Sequence, residues 1–343
     1  MSFSIGTRLV GRDQPTFIIA EACDNHMGDL AVAKEMALQA KLAGADAVKY
    51  QHHLPDEEML PDAPMSDNFA EPLYEFLLKH ALKLSDHAEL MAYCESIGIT
   101  YMCTPFSYKA AQELAGLSGG IDVFKIGSGE MTDIPSLVKI SKLGKPMILS
   151  TGMCTLEEVD ETVVALRAAG AKFALMNCVS EYPPVYSDLN LKVIGQLLER
   201  YPDLVIGHSD HTPDLYTCYA AVALGARIIE KHIILDKKTP GPDQSVSIDI
   251  FELHSLVDGI RKVDLGLGDV KKVHAREAQI RTWAFRSVVS VRPIAAGATI
   301  TEDDVWTKRP GTGIPSKRLH EVIGRTAKHA IPSGRLVAWE DLV

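Results

Sequence analysis

Residues 122–130, Asp-Val-Phe-Lys-Ile-Gly-Ser-Gly-Glu, put a lysine, a Gly-Ser-Gly turn and a carboxylate within nine positions. The glycines around Ser128 let backbone N–H groups approach an anion, while Lys125 and Glu130 supply charge of both signs. Groups of the same kind recur after other apolar stretches: Glu21, Lys49 with Gln51, Thr104 with Phe106, Ser150, Asn177 followed by Ser180 and Tyr182, Ser209 with His211, and His232. Lys49, Lys125, Ser128, Ser150 and Ser209 are suited to holding a phosphate and a carboxylate. A histidine is most often a hydrogen-bonded residue, but His211 and His232 each follow one of two successive strands. Such a pair also suits a divalent metal, with Glu130 as a third group directly or through water.

These side chains need a scaffold that brings distant segments to one rim. Apolar strand candidates fall at 17–20, 46–51, 99–103, 122–126, 145–150, 172–177, 204–208 and 227–233, with amphipathic segments such as 30–43, 85–97 and 156–169 between them. Alternation of eight short strands with helices describes a parallel array, and eight is the number that closes a (β/α)8 TIM barrel, whose active site lies at the C-terminal strand ends. All eight strand candidates deliver polar or ionisable groups there. The longest connection, from Gln51 to Ile99, carries four prolines and several acids before helical periodicity resumes near Leu73, and is a candidate substrate-covering loop. Residues 1–265 form the expected barrel, 266–284 a polar linker, and 285–343 a small β-rich domain with a hairpin-like pair of strands around Ala295-Ala296-Gly297.

Composition bounds the partners. Hydrophobic content of 46% and charged content of 23% are those of a globular chain. With no apolar run near the roughly 18 residues of a membrane span and no signal-peptide core at the N-terminus, a cytoplasmic location without membrane attachment is expected. The six cysteines lack C-x-x-C spacing and read as reduced thiols. From Arg281 onward ten Lys/Arg face six Asp/Glu, a net of +4 against −14 for residues 1–280. An acidic body and a basic tail attract each other within or between chains, and no dense basic stripe marks a nucleic-acid site.

The runs IAEACDNHMGDL, AVKYQ, CTPFS, FKIGSGE, ILSTGM, IGHSDHT, EKHI with GPDQSVSID, and KRPGTGI occur in order along the whole chain. In this the sequence resembles the sialic acid synthase family, the N-acetylneuraminate synthases and their legionaminic acid relatives, with a C-terminal antifreeze-like (SAF) domain of the β-clip type. The resemblance implies a metal-dependent condensation of phosphoenolpyruvate with the open-chain aldehyde of an N-acyl hexosamine, giving a nine-carbon 2-keto acid and phosphate. By motif, it places Mn²⁺, or Mg²⁺ or Co²⁺, on His211 and His232, with Glu130 close to a metal water. Lys49, Lys125, Ser128, Ser150 and Ser209 hold phosphoenolpyruvate, while Glu21, Gln51, Tyr182 and Asp243 face the sugar. Arg309, in KRPG, reaches the partner subunit's site in a domain-swapped homodimer.

Two stretches depart from the neuraminate pattern. Cys23-Asp24-Asn25-His26 stands where many neuraminate synthases carry Gly-Ile-Asn-His, and Ser180-Glu181-Tyr182 stands where an Asn precedes Ile-Tyr-Pro. A sugar with altered substituents, such as a 2,4-diacetamido-trideoxyhexose in place of N-acetylmannosamine, is a reasonable expectation. A metal-free Schiff-base aldolase built on Lys125 or Lys49 is the competing enzyme class.

Overall fold

The computed structural model describes residues 2–64 and 71–343. Part of the expected covering loop, residues 65–70, lies outside the described residues. The chain divides into two compact units, Met1–Leu267 and Gly268–Val343.

In the first unit, β1 (Ser2–Ile5) and β2 (Arg8–Gly11) form an antiparallel hairpin turned at Gly6, where φ is +56°. Eight further strands follow: β3 (Phe17–Glu21), β4 (Ala47–His52), β5 (Thr100–Pro105), β6 (Phe124–Ile126), β7 (Met147–Ser150), β8 (Phe173–Cys178), β9 (Ile206–Asp210) and β10 (Ile228–His232). They pair in parallel, in chain order, and β10 closes onto β3, with His232 beside Glu21. This is the expected TIM barrel.

The two faces of each strand serve two cores. Inward residues Phe17, Ile19, Ala47, Met102, Ile148, Ala174, Met176, Val205 and Ile228 fill the barrel with Ile5 and Val10 of the hairpin. Outward residues such as Ile18, Val48, Leu149 and Ile229 pack beneath the helices. Full burial of such aliphatic side chains is worth about 1.5–3 kcal/mol each. The helix Leu30–Ala43 shows how the surrounding layer is specified. Asp29 caps its first turn through the Ala31 and Val32 amides, Ala33, Ala37 and Ala40 face the barrel closely, and Gly44 ends it at φ +88°.

In the second unit a helix, Ala275–Ala284, precedes the strands β11 (Ser287–Ser290) and β12 (Val305–Lys308), which pair antiparallel. Val288, Ile300, Ile314, Val322 and Val337 are among the residues of its core. The antiparallel pair expected around Ala295-Ala296-Gly297 forms as β11 and β12, which flank these residues, but through the long connection 291–304 instead of a tight turn. Ile294 bridges to Ile331 and Thr299 to Thr326, so these segments find partners about 30 residues on. Alternating apolar residues announce extended chain but not its partner.

Candidate active site

The C-terminal strand ends carry a buried charge cluster. Lys49 Nζ on β4 forms an ion pair with Glu21 Oε2 on β3 at 2.6 Å, donates to Thr104 Oγ1 on β5 at 2.8 Å, and lies 3.7 Å from Glu230. Lys125 Nζ on β6 donates to Ser150 Oγ on β7 at 2.8 Å and stands 3.3 Å from Glu230 Oε1 on β10. Ser209 Oγ on β9 donates to the same Glu230 oxygen at 3.0 Å. Seven strands thus converge on two ammonium and two carboxylate groups.

Electrostatics within the cluster follow from burial opposed by neighbours. Burial works against charge on Lys49, but Glu21 and Glu230 outweigh it and hold the ammonium above the usual lysine value. Burial likewise penalises the Glu230 carboxylate, yet Lys125 and Lys49 bring it down to about 2. For Glu21, burial exceeds the attraction of Lys49, and Glu230 adds repulsion, so its carboxyl is raised.

Glu230 was absent from the expected site, which named His232 from the same strand. Residues two apart share a face, so Glu230 and His232 point inward together and Lys231 points out. Lys231 Nζ is buried behind the barrel, 2.5 Å from Asp210 Oδ1, and Asp210 accepts from His208 Nε2 at 3.1 Å. The alternation also moves Asn177. It shares the outward face of β8 with Leu175 and contacts the His208 ring, while Cys178 takes the inward position beside Lys125.

Beyond Lys125, Ser128 and Ser180 come together across Gly152. Gly152 N donates to Ser128 Oγ at 3.1 Å, and a Cβ at Gly152 would sit 2.3 Å from Ser180 Oγ and 2.7 Å from Ser128 Oγ. Only glycine leaves both hydroxyls in place. Glu130 follows on the same turn, with one carboxylate oxygen buried and unpartnered. Burial, with the Glu58 charge acting in the same direction, raises its carboxyl to about 7.

A chain of polar contacts runs along the β4 rim. Gln51 Nε2 donates to Glu21 Oε1 at 3.2 Å, so its Oε1 faces His53 Nε2 at 3.0 Å, and His53 Nδ1 meets Glu58 Oε1 at 3.0 Å. Acceptors on both sides require both ring nitrogens to carry protons. Burial disfavours that charge, but Glu58 and Asp24 prevail, and the His53 value is raised. Phe106 stacks on the His53 ring at 4.2 Å. Asp24, buried with Asp243 and Glu58 nearby, is raised to about 6 despite His53. His53 and Glu58 were not among the expected site residues; the signal available was the His-x-x-x-x-Glu run directly after Gln51.

On the other side of the barrel, the His211 and His232 rings are 5.1 Å apart, edge to face, and Tyr182 stacks on His211 at 4.2 Å. His211 Nδ1 donates to Val179 O at 2.8 Å, which leaves the Nε2 lone pair available. Burial and the neighbouring His232 lower His211 to about 3, so it is a neutral imidazole, as a metal ligand must be. His232 Nδ1 is buried and without a hydrogen bond, 3.5 Å from Asp243 Oδ2. This donor set fits a divalent cation. The carboxylate brought to the histidine pair is Asp243; Glu130 follows β6, four steps around the ring from β10, and its charged neighbours are Glu58, Lys125 and His53.

Arg309 belongs to the second unit, where Nε donates to Ala284 O at 3.1 Å and the guanidinium lies over the Trp283 ring.

Residues 36–272 match the NeuB family and residues 285–343 match the SAF domain. The chain belongs to the NeuB family. This NeuB-family chain is 36% identical to the N,N'-diacetyllegionaminic acid synthase of Legionella pneumophila over 98% of its own length and 97% of the relative's. It is 37% identical to the enzyme of the same name from Campylobacter jejuni over 91% and 96%. Among solved structures, the N-acetylneuraminic acid synthetase of Leptospira borgpetersenii, in complex with citrate, aligns with TM-score 0.73 and 30% identity over 82% of this chain and 95% of that one. Among the described residues no helix is long and apolar enough to cross a membrane.

Proposed function

We propose that this protein condenses phosphoenolpyruvate with the open-chain aldehyde of an N-acyl hexosamine and water, releasing phosphate and a nine-carbon 2-keto acid. The observation that carries this reading is the pair of buried ammonium groups, Lys49 and Lys125, ringed by Thr104, Ser150, Ser128 and the Gly152 amide beside the imidazole pair. Such a cradle matches the phosphate and carboxylate of one doubly anionic substrate.

In the mechanism, His211, His232 and Asp243 would hold Mn²⁺, Mg²⁺ or Co²⁺. A cation bound there supplies Lewis-acid polarisation of the aldehyde oxygen. Lys49 and Lys125 stabilise the anionic groups of phosphoenolpyruvate as its C3 attacks the aldehyde carbon. Water then adds at C2, and collapse of the resulting tetrahedral centre expels phosphate. Glu130, balanced near neutral pH, is suited to move the proton of that water, and Glu21 to orient it. Gln51, Tyr182 and Phe106 would line the sugar side.

For the sugar, the legionaminic acid synthases named among the relatives support a 2,4-diacetamido-trideoxyhexose over N-acetylmannosamine. So do Asp24 and Ser180, the positions that depart from the neuraminate pattern and lie beside His53 and Ser128. A Schiff-base aldolase needs a neutral amine, and Lys49 is held charged by Glu21 and Glu230. The test is phosphate release from phosphoenolpyruvate with Mn²⁺ and a panel of N-acyl hexosamines. Turnover with one sugar, abolished by EDTA, is expected. Borohydride trapping of a lysine adduct without phosphate release would overturn the reading.

A further inference from the structure

Cys23 occupies an unusual place. It follows β3 with φ +40°, a left-handed conformation uncommon outside glycine, asparagine and aspartate, and its side chain is fully buried. That backbone puts Sγ in a group with a ring nitrogen of His232 and a carboxylate oxygen of Asp243, all three within 4.8 Å of one another. The second observation is the His232 side chain, 5% exposed, whose Nδ1 has no hydrogen bond. His211, with its Nδ1 committed to Val179 O, offers Nε2 from the adjacent ring. A thiol beside two imidazoles and a carboxylate is a donor set of a different softness from the oxygen-rich sites that Mg²⁺ prefers.

We propose that Cys23 is itself a ligand of the metal centre, its thiolate joining His232, Asp243 and His211 so that the site favours thiophilic divalent ions, Zn²⁺ and Co²⁺, over Mg²⁺. Ligation replaces the S–H bond by a sulfur–metal bond, and the proton leaves to solvent. No oxidant or reductant takes part. The inference rests on the metal reading of the site given above, but it asks a separate question about which atoms hold the ion.

Spectroscopy of the Co²⁺-loaded full-length protein decides it. A near-ultraviolet sulfur-to-cobalt charge-transfer band is expected in the wild type, absent in Cys23→Ser and Cys23→Gly, and retained in Cys178→Ser. The glycine variant suits the left-handed backbone, so loss of the band there cannot be ascribed to strain. By equilibrium dialysis, both Cys23 variants should bind Co²⁺ and Zn²⁺ at least tenfold more weakly, with Mg²⁺ affinity changed less than about twofold. Co²⁺ bound with visible ligand-field bands but no sulfur band would overturn the Cys23 assignment and leave the metal site standing. Absence of Co²⁺ binding to the wild type would overturn both.

Discussion

Lys125 Nζ and Glu230 Oε1 stand 3.3 Å apart although their strands, β6 and β10, lie opposite each other in the ring. The contact spans the barrel, and with Lys49 on its other flank Glu230 keeps both ammonium groups within one small volume. Glu230 is therefore the carboxylate shared by both ammonium groups of the cradle that would receive an anionic substrate, while Glu21 answers Lys49.

Glu230→Gln removes half of that balance. Breaking a buried ion pair by deleting one partner costs about 3–5 kcal/mol, and a loss of that order is expected in denaturant unfolding. Added phosphoenolpyruvate should raise the melting temperature of the variant more than that of the wild type. A variant as stable as the wild type would show that Glu230 does not hold the lysines.

Lys125→Met and Lys49→Met should each lower kcat/KM for phosphoenolpyruvate by about 10²–10³, the size of losing one preorganised donor to developing charge. Steady-state phosphate release measures this. Normal kinetics in either variant would remove that lysine from the cradle.

Glu130 gives a pH signature. Its carboxyl is raised from an ordinary 4.5 to about 7, so between those values the folded chain retains a proton that the unfolded chain has given up. Its contribution to stability is therefore present below about pH 4.5, is lost as pH rises towards 7, and stays lost above that. Glu130→Gln should be more stable than wild type at pH 8, by at most about 3 kcal/mol, and nearly equal at pH 4.5. Denaturant titrations at the two pH values test it. The same variant should lose turnover while still binding metal; undiminished turnover would exclude Glu130 as the proton carrier.

His53 and Glu58 fix the orientation of the Gln51 amide. Glu58→Gln or His53→Phe should raise KM for the sugar several-fold while moving KM for phosphoenolpyruvate little, because Lys49 and Lys125 do not contact this pair. Equal effects on both substrates would point to a general loss of structure instead.

For Arg309, mixing Arg309→Ala chains with His232→Ala chains should restore part of the activity in heterodimers if the arginine completes a partner's site. No recovery after demonstrated subunit exchange would sink the domain-swapped arrangement.

The sequence alone determined the barrel and its working rim. Eight apolar runs spaced for intervening helices, each ending in polar residues, admit few other folds, and all eight strands begin within two residues of the expected start. Lys49, Lys125, Ser150 and Thr104 were legible because a buried strand spends a charged or hydroxylated side chain inward only where something answers it.

Tertiary structure decided which face each rim residue takes and which strands oppose. Glu230 stands just before the more conspicuous Lys231 and His232, and only the inward register of β10 separates it from Lys231. Asp243 sits eleven residues beyond His232, in a loop whose path no local periodicity encodes, yet it reaches the histidine that Glu130 was expected to approach. Strand alternation is a local property that can be read along one chain, whereas the pairing of side chains across a closed barrel depends on ring position and shear, which belong to the whole sheet.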